Sequence, residues 1–293
     1  MANGQSSAIR GLGFGLLSFA LFSTHDAIIK VLGNTHSVFQ ILFFALMFAF
    51  APMTVLVLAD RVVGNFRPRH PWLVLSHSVL SLIVMSGSFY AFVRLPLAEV
   101  YALLFMIPLL ITALSVPLLG ETVRTSRWIA IAVGLIGVMI VLRPGATSLS
   151  LGHLTAVLGA FASALAKIIV RKIGGEERPA VMVLYPMLTS LVVMGAILPA
   201  VYVPVELPSL GLMAAVGLIS VTGQLCTIAA YRFAPAAVVA PTQYSQILWA
   251  TGFGIALFSE HPDASVAIGA GVIIASGIFI AWQERRNMPR ENT

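Results

Sequence analysis

Ten runs of about twenty mainly apolar residues follow one another almost without interruption, near 10–30, 38–59, 72–93, 97–119, 127–143, 151–172, 180–201, 208–231, 236–258 and 264–283. A helix needs roughly 20 such residues to cross the hydrocarbon core of a bilayer. Within that core only helices and closed barrels satisfy every backbone polar group. The pattern predicts an all-α integral membrane protein with ten transmembrane helices and short connections. Charged residues make up 10% of the chain, against about 25% in soluble domains, so lipid is the main solvent. The apolar run after Arg10 is too long for a signal-peptide core and no small-residue cleavage site follows it, so no cleaved leader is expected.

The 17 basic residues test this count. With the N-terminus inside, thirteen fall on inner segments: Arg10, Arg61, Arg67, Arg69, Arg124, Arg127, Arg171, Lys172, Arg178, Arg232, Arg285, Arg286 and Arg290. The outer loops hold Lys30, Arg94 and Arg143, and Lys167 lies within a helix. Lys and Arg concentrate in cytoplasmic loops, and a miscounted helix would scramble the asymmetry. The N-terminus and the C-terminus are therefore both expected to be cytoplasmic. A formal charge of +6 spread over many loops, with no basic face interleaved with aromatics, speaks against a nucleic-acid partner. The one cysteine, Cys226, sits in an apolar run and offers neither a disulfide nor a thiolate metal site.

The stretch from Pro96 to Val133 returns 139 residues later, with ten identities over 38 ungapped positions. Among them are Pro96/Pro235, Ala98/Ala237, Val100/Val239, Thr112/Thr251 and Glu121/Glu260. The starts of the two halves agree at an offset of 141, where Gly11 meets Gly152, Ile28 meets Ile169 and Lys30 meets Arg171. The break falls near Pro144–Leu151 and divides the chain into 1–145 and 146–293, five spans each. With an odd number of spans per half, the second half enters the membrane from the opposite side. The halves are then inverted repeats, the architecture by which transporters offer one central site to either side in turn.

Ten spans in two five-helix halves, with Leu95-Pro96-Leu97-Ala98 through Gly120-Glu121 in the first, resemble the drug/metabolite transporter superfamily. Within it, the chain is similar to the ten-helix EamA-type exporters of bacteria, which include amino-acid exporters. The second copy departs from the pattern, with Ser259-Glu260 in place of Gly-Glu and His261-Pro262-Asp263 following. The resemblance covers essentially the whole chain and implies transport more firmly than it implies any substrate.

Ionisable groups inside a membrane are costly and mark function by default. Lys167 in the sixth helix aligns with Asp26 in the first, where His25 precedes it, and all three lie roughly 9 Å from mid-membrane at 1.5 Å per residue. On one reading Lys167 docks a carboxylate and Asp26 helps hold an ammonium. On the other, which their nearness to helix ends favours, the two snorkel to opposite interfaces. Glu99 is closer still to the outer surface and is a weaker candidate for coupling. In the third helix His77, Ser81 and Ser88 share one face, which suits a polar path or close packing through small residues. In the ninth, Pro241 frees a backbone carbonyl and is followed by Thr242, Gln243, Tyr244, Ser245 and Gln246, too many polar groups for lipid. The expected substrate-binding set is Tyr101, Phe105, His77, Ser81, Lys167, Gln224, Tyr244, Gln246 and Trp249. Trp72, Trp128 and Trp282 fit an interfacial belt, and Glu121 and Glu260 fit capping or loop anchoring at opposite faces.

No nucleotide-binding, metal-ligand or nucleophile motif is present in the sequence, so a substrate or ion gradient must supply the energy. No cofactor, metal or catalytic residue is expected. The expected function is export of a small metabolite, a neutral or aromatic amino acid, across the bacterial inner membrane by a monomer or weak homo-oligomer. Transport of a drug-like amphiphile or a nucleotide-sugar-like solute is the alternative, and an integral-membrane transferase is a more distant one. A channel would differ in failing to exchange labelled substrate against its gradient.

Overall fold

The computed structural model describes residues 2–59, 66–144 and 149–287, and every regular element in them is helical. Arg61 and Arg290, counted toward the charge asymmetry, and the junction at 145–148 lie outside these residues. The helices are α1 (Ala2–Leu32), α2 (Val38–Ala59), α3 (Pro71–Arg94), α4 (Leu97–Leu104), α5 (Ile107–Leu119), α6 (Thr125–Leu142), α7 (Leu151–Ile173), α8 (Pro179–Val201), α9 (Leu207–Phe233), α10 (Ala236–Val239), α11 (Gln246–Phe258) and α12 (Ala264–Asn287). A 3₁₀ stretch, Ala240–Ser245, joins α10 to α11.

Nine stretches of the described residues are long and apolar enough to cross a membrane as helices. The one remaining expected span, the ninth at 236–258, departs from a continuous helix: α10, the 3₁₀ stretch and α11 make the crossing in three pieces. Pro241 supplies the physical reason, since it has no N–H for the ladder and its ring crowds the preceding turn. The fourth span is interrupted at the repeat-equivalent place. There α4 stops before Phe105-Met106 and α5 begins with Pro108 in its first turn, where the missing N–H costs nothing.

Contacts at the two ends of the bundle fix the directions of the helices. At one end, the Lys30 face, the C-terminus of α1 meets Leu95 and Glu260, and His153 at the start of α7 reaches Glu99 in the first turn of α4 at 2.9 Å. On the same face Gln40 exchanges two hydrogen bonds with Val203, at 2.6 and 3.0 Å, and Arg143 pairs with Asp263 at 2.8 Å. At the other end, the Arg171 face, Ser7 of α1 donates to the carbonyl of Phe233 at 2.5 Å, and Arg171 at the end of α7 pairs with Glu121 at 2.7 Å. Ser126 and Gln283 join the start of α6 to the end of α12 there, at 2.7 and 3.1 Å. Thus α1 ends where α7 begins, the halves are inverted, and α1 starts on the face where α12 ends.

Packing follows the same pseudo-two-fold symmetry. α1 packs on α9 as α7 packs on α3, and α2 with α8 and α6 with α12 pair across the axis. Small residues make these crossings close: a Cβ on Gly137 would stand 2.9 Å from the Gly269 carbonyl, and one on Gly269 would stand 2.7 Å from that of Gly137. Lipid provides no hydrophobic drive between helices, so such close van der Waals contact has to hold them together. The outer surface carries a broad set of exposed Leu, Ile, Val and Phe side chains. Trp72, Trp128 and Trp282 are exposed at helix ends on the Arg171 face, as an interfacial belt requires.

Candidate functional site

Between the halves lie three adjoining cavities of about 440, 460 and 550 Å³. The first is walled by Phe19, Phe22 and Asp26 of α1, Tyr101 of α4, Phe105, and Gln243 and Gln246 of the ninth span. The second holds His77, Ser81 and Ser88 of α3 and Ser163 of α7. Phe22, His25 and Lys167 line both, so they stand where the two meet. The third cavity shares Phe22 and Ser220 with the second and runs along Gln224 and Ile228 of α9 to Pro179 at the start of α8, which lies toward the Arg171 face.

The polar centre is a cluster on α1 and α4. His25 Nδ1 lies 2.8 Å from Asp26 Oδ1, and the Tyr101 hydroxyl donates to Asp26 Oδ2. Gln246 Nε2 approaches that hydroxyl at a long 3.5 Å. Asp26 is buried and so is Tyr101. A carboxylate so placed needs charge-assisted partners, because desolvation without them is expensive. Lys167, which lines the same cavity, has no ion-pair or hydrogen-bond partner among the described residues, and its side chain is accessible. The cavity therefore carries a satisfied acid and an unsatisfied base, at positions that the repeat makes equivalent.

The other sequence-derived candidates fall into place unevenly. Tyr101, Phe105, Gln246 and Lys167 meet in one cavity, His77 and Ser81 in the next, and Gln224 in the third. Tyr244 meets Phe105 edge-on at 5.1 Å between ring centroids, and its other side faces a separate recess beside α12. Trp249 is 43% exposed and lines none of these cavities. Glu99 is held by His153 at the rim. Asp26 does not snorkel, since both its oxygens are engaged inside the bundle. Phe19 and Phe22 were missed by composition-led reading. Their signal is the spacing, because residues 19, 22 and 26 follow i, i+3, i+7 and share the face of α1 that carries Asp26.

Two segments of the chain, 9–143 and 150–282, each match the EamA-like transporter family. The S-adenosylmethionine uptake transporter of Rickettsia conorii is 26% identical over 296 residues, covering 100% of this chain and 99% of that protein. The pseudopaline exporter of Pseudomonas aeruginosa is 27% identical over 273 residues, 92% of this chain and 95% of its own. A riboflavin transporter of Vibrio cholerae is 31% identical over 198 residues, 67% of this chain and 66% of its own. A crystal structure with 18% identity superposes with a TM-score of 0.62 over 95% of this chain and 99% of its own, a likeness of fold.

Proposed function

The chain belongs to the EamA-like transporter family, and on that premise we propose that it is a secondary carrier, not an enzyme, that exports small zwitterionic metabolites by alternating access. It is a multi-pass protein of the bacterial inner membrane with a small-molecule substrate. Neutral and aromatic amino acids are the substrates this site suits best.

The observation that carries the reading is that Asp26 and Lys167, an acid and a base, line one cavity together with aromatic rings. An ion pair gains strength where water is excluded, so an amino-acid carboxylate has a partner in Lys167. The ammonium has one in Asp26, whose charge is already oriented by His25 and Tyr101. Gln243 and Gln246 supply neutral donors and acceptors, and Phe19, Phe22 and Phe105 offer an apolar bed for the substrate side chain. A volume of about 440 Å³ lies within the usual range of ligand pockets. In this reading both termini are cytoplasmic, the repeats span 1–145 and 146–293, no nucleic acid is bound, and the carrier works as a monomer or weak homo-oligomer. The charge count then makes the Arg171 face cytoplasmic, and the third cavity leads toward it. That supports loading from inside.

Proteoliposomes test this with labelled neutral, aromatic and charged amino acids, with S-adenosylmethionine as a larger solute bearing the same zwitterionic end, each with and without a pH gradient. Counterflow of a neutral or aromatic amino acid is expected, and Lys167→Met should lower it on the order of 10- to 100-fold, the loss of one charge-assisted hydrogen bond. Transport of none of these solutes, or undiminished transport by Lys167→Met, would overturn the zwitterion reading and leave the family assignment standing.

A further inference from the structure

We propose that Lys30–Glu260 and Arg171–Glu121 are the two gates of this carrier, one ion pair at each face, each buried and locked in the phase in which its own face is closed. The two pairs are one pair, written twice. Lys30 and Arg171 stand 141 residues apart and Glu121 and Glu260 stand 139 apart, the offsets at which the two halves of the chain align. In the structure each base meets the acid of the other half, at 2.5 Å for Lys30–Glu260 and 2.7 Å for Arg171–Glu121. Each pair ties the end of a half's first span to the turn after the other half's broken span. These are the two parts that must separate when a face opens.

Local geometry is duplicated as well. Gly120 and Ser259 both end their helices in the left-handed region, with φ of 69° and 54°. In the next residue, the N–H of Glu121 donates to the Ser115 carbonyl at 3.4 Å and that of Glu260 to the Gly254 carbonyl at 2.9 Å. Both bonds reach back six positions across a left-handed residue, so the same kind of turn, a helix C-terminus closed through the left-handed region, presents both carboxylates. The bases occupy or border the last turn of α1 and α7, where the carbonyl ends of a helix favour a cation.

What differs is the state of the two pairs. Side chains of Lys30 and Glu260 are 11% and 18% exposed, whereas those of Arg171 and Glu121 are 54% and 34% exposed. Glu260 Oε2 also accepts from the Leu97 N–H at 3.1 Å, Lys30 donates to the Leu95 carbonyl, and its ammonium lies 5.3 Å over the Phe258 ring. A Cβ on Gly254 would stand 3.0 Å from Glu260 Oε2, so the glycine leaves the room in which the carboxylate is enclosed. An exposed ion pair contributes little in water, whereas removing one partner of a buried pair strands a charge. The Lys30 gate is thus the locked one here, and the Arg171 gate is a solvated contact. Inverted symmetry makes the reverse arrangement the other end of the cycle.

Full-length protein in lipid nanodiscs, without substrate, tests this through spin-label pairs at symmetry-equivalent exposed positions. Val31 with Leu257 reports on the Lys30 face and Lys172 with Leu118 on the Arg171 face, in a Cys226→Ala background. Glu260→Gln is expected to shift the population toward an open Lys30 face on the order of tenfold. Glu121→Gln is expected to shift it the other way, by less, because its pair is solvated in this state. Lys30→Gln reads the first gate independently of the carboxylate and should shift the distances in the same direction as Glu260→Gln. Shifts of the same sign from Glu260→Gln and Glu121→Gln, unchanged distances, or a Lys30→Gln shift opposite to that of Glu260→Gln would each overturn the proposal. Substrate identity plays no part in the outcome.

Discussion

The fourth and ninth spans are the same element by descent, and the structure uses them differently. Both are interrupted at the equivalent point, where Phe105 and Tyr244, 139 residues apart, meet edge-on near the pseudo-two-fold axis. The fourth enters through two turns of ordinary helix, α4, and carries the Tyr101 hydroxyl to Asp26. The ninth enters through one short turn and a 3₁₀ stretch, and Ala240 stands where Tyr101 would be. Gln246, at the start of α11, has Ile107 as its mate. The duplicated part is the break, the turn and the acid at the end. The unduplicated part is the polar chemistry. Motion between two equivalent states needs the first kind of feature, and recognition of an asymmetric solute needs the second.

The sharpest way to break that comparison is to remove chemistry from one copy only. Tyr101→Phe deletes the hydroxyl that Asp26 accepts from, leaving a buried carboxylate short of a partner. Transport measured in proteoliposomes should fall about 10- to 100-fold, in line with the roughly 1.5–3 kcal/mol of a hydrogen bond to a charged group. Gln246→Ala, on the other copy, breaks only a long neutral contact and should cost about fivefold. If the two fell equally, the fourth span would lose its claim to the dominant polar role.

Next in size is the ring contact that the copies share. Phe105→Leu and Tyr244→Leu each remove one partner of the edge-on pair, which is worth about 0.5–1.5 kcal/mol beyond burial. Each should lower transport about threefold to tenfold with unchanged expression, and the double variant should do little more than either single one. Fully additive losses would show that the rings act separately.

The smallest effect is at the caps. Ser259 holds a left-handed backbone that costs a non-glycine residue roughly 1–2 kcal/mol, so Ser259→Gly should raise stability by about 1 kcal/mol. Gly120→Ala should lower it by about as much, although nothing lies within 4 Å of the place its Cβ would take. Thermal unfolding in detergent reads both, and equal signs would contradict the cap geometry.

Much of this architecture is legible in the sequence. Span count follows from the length of apolar runs, because a bilayer core has one thickness. Inversion follows from five spans per half. Pro241 announced a break in the ninth span, though not that 3₁₀ geometry would carry it. The fourth span's break was less visible, since Pro108 is tolerated in a first helical turn and can be read as part of a continuous helix. Lys167 and Tyr101 were singled out from their chemistry. Asp26 was weighed and inclined toward the interface, because two turns from a helix end is close enough to snorkel when no neighbour is known. Trp249 is expected in the cavity on the strength of its neighbours, yet it lines none of the three. The pairing of Lys30 with Glu260 and Arg171 with Glu121 could be aligned in sequence, but no spacing rule joins residues 230 or 50 positions apart.

The division has one physical cause. In water, an amphipathic stripe tells which face of a helix turns inward. In lipid the outer face is as apolar as the packed one, so hydropathy yields the length, the number and the repeat of the helices but not their rotation. Sequence alone determined an inverted ten-span bundle and a short roster of polar groups. Only the tertiary structure decided that Asp26 and Lys167 line one cavity, that Trp249 lines none of the three, and that two copies of one ion pair sit at opposite ends, one buried and one in the open.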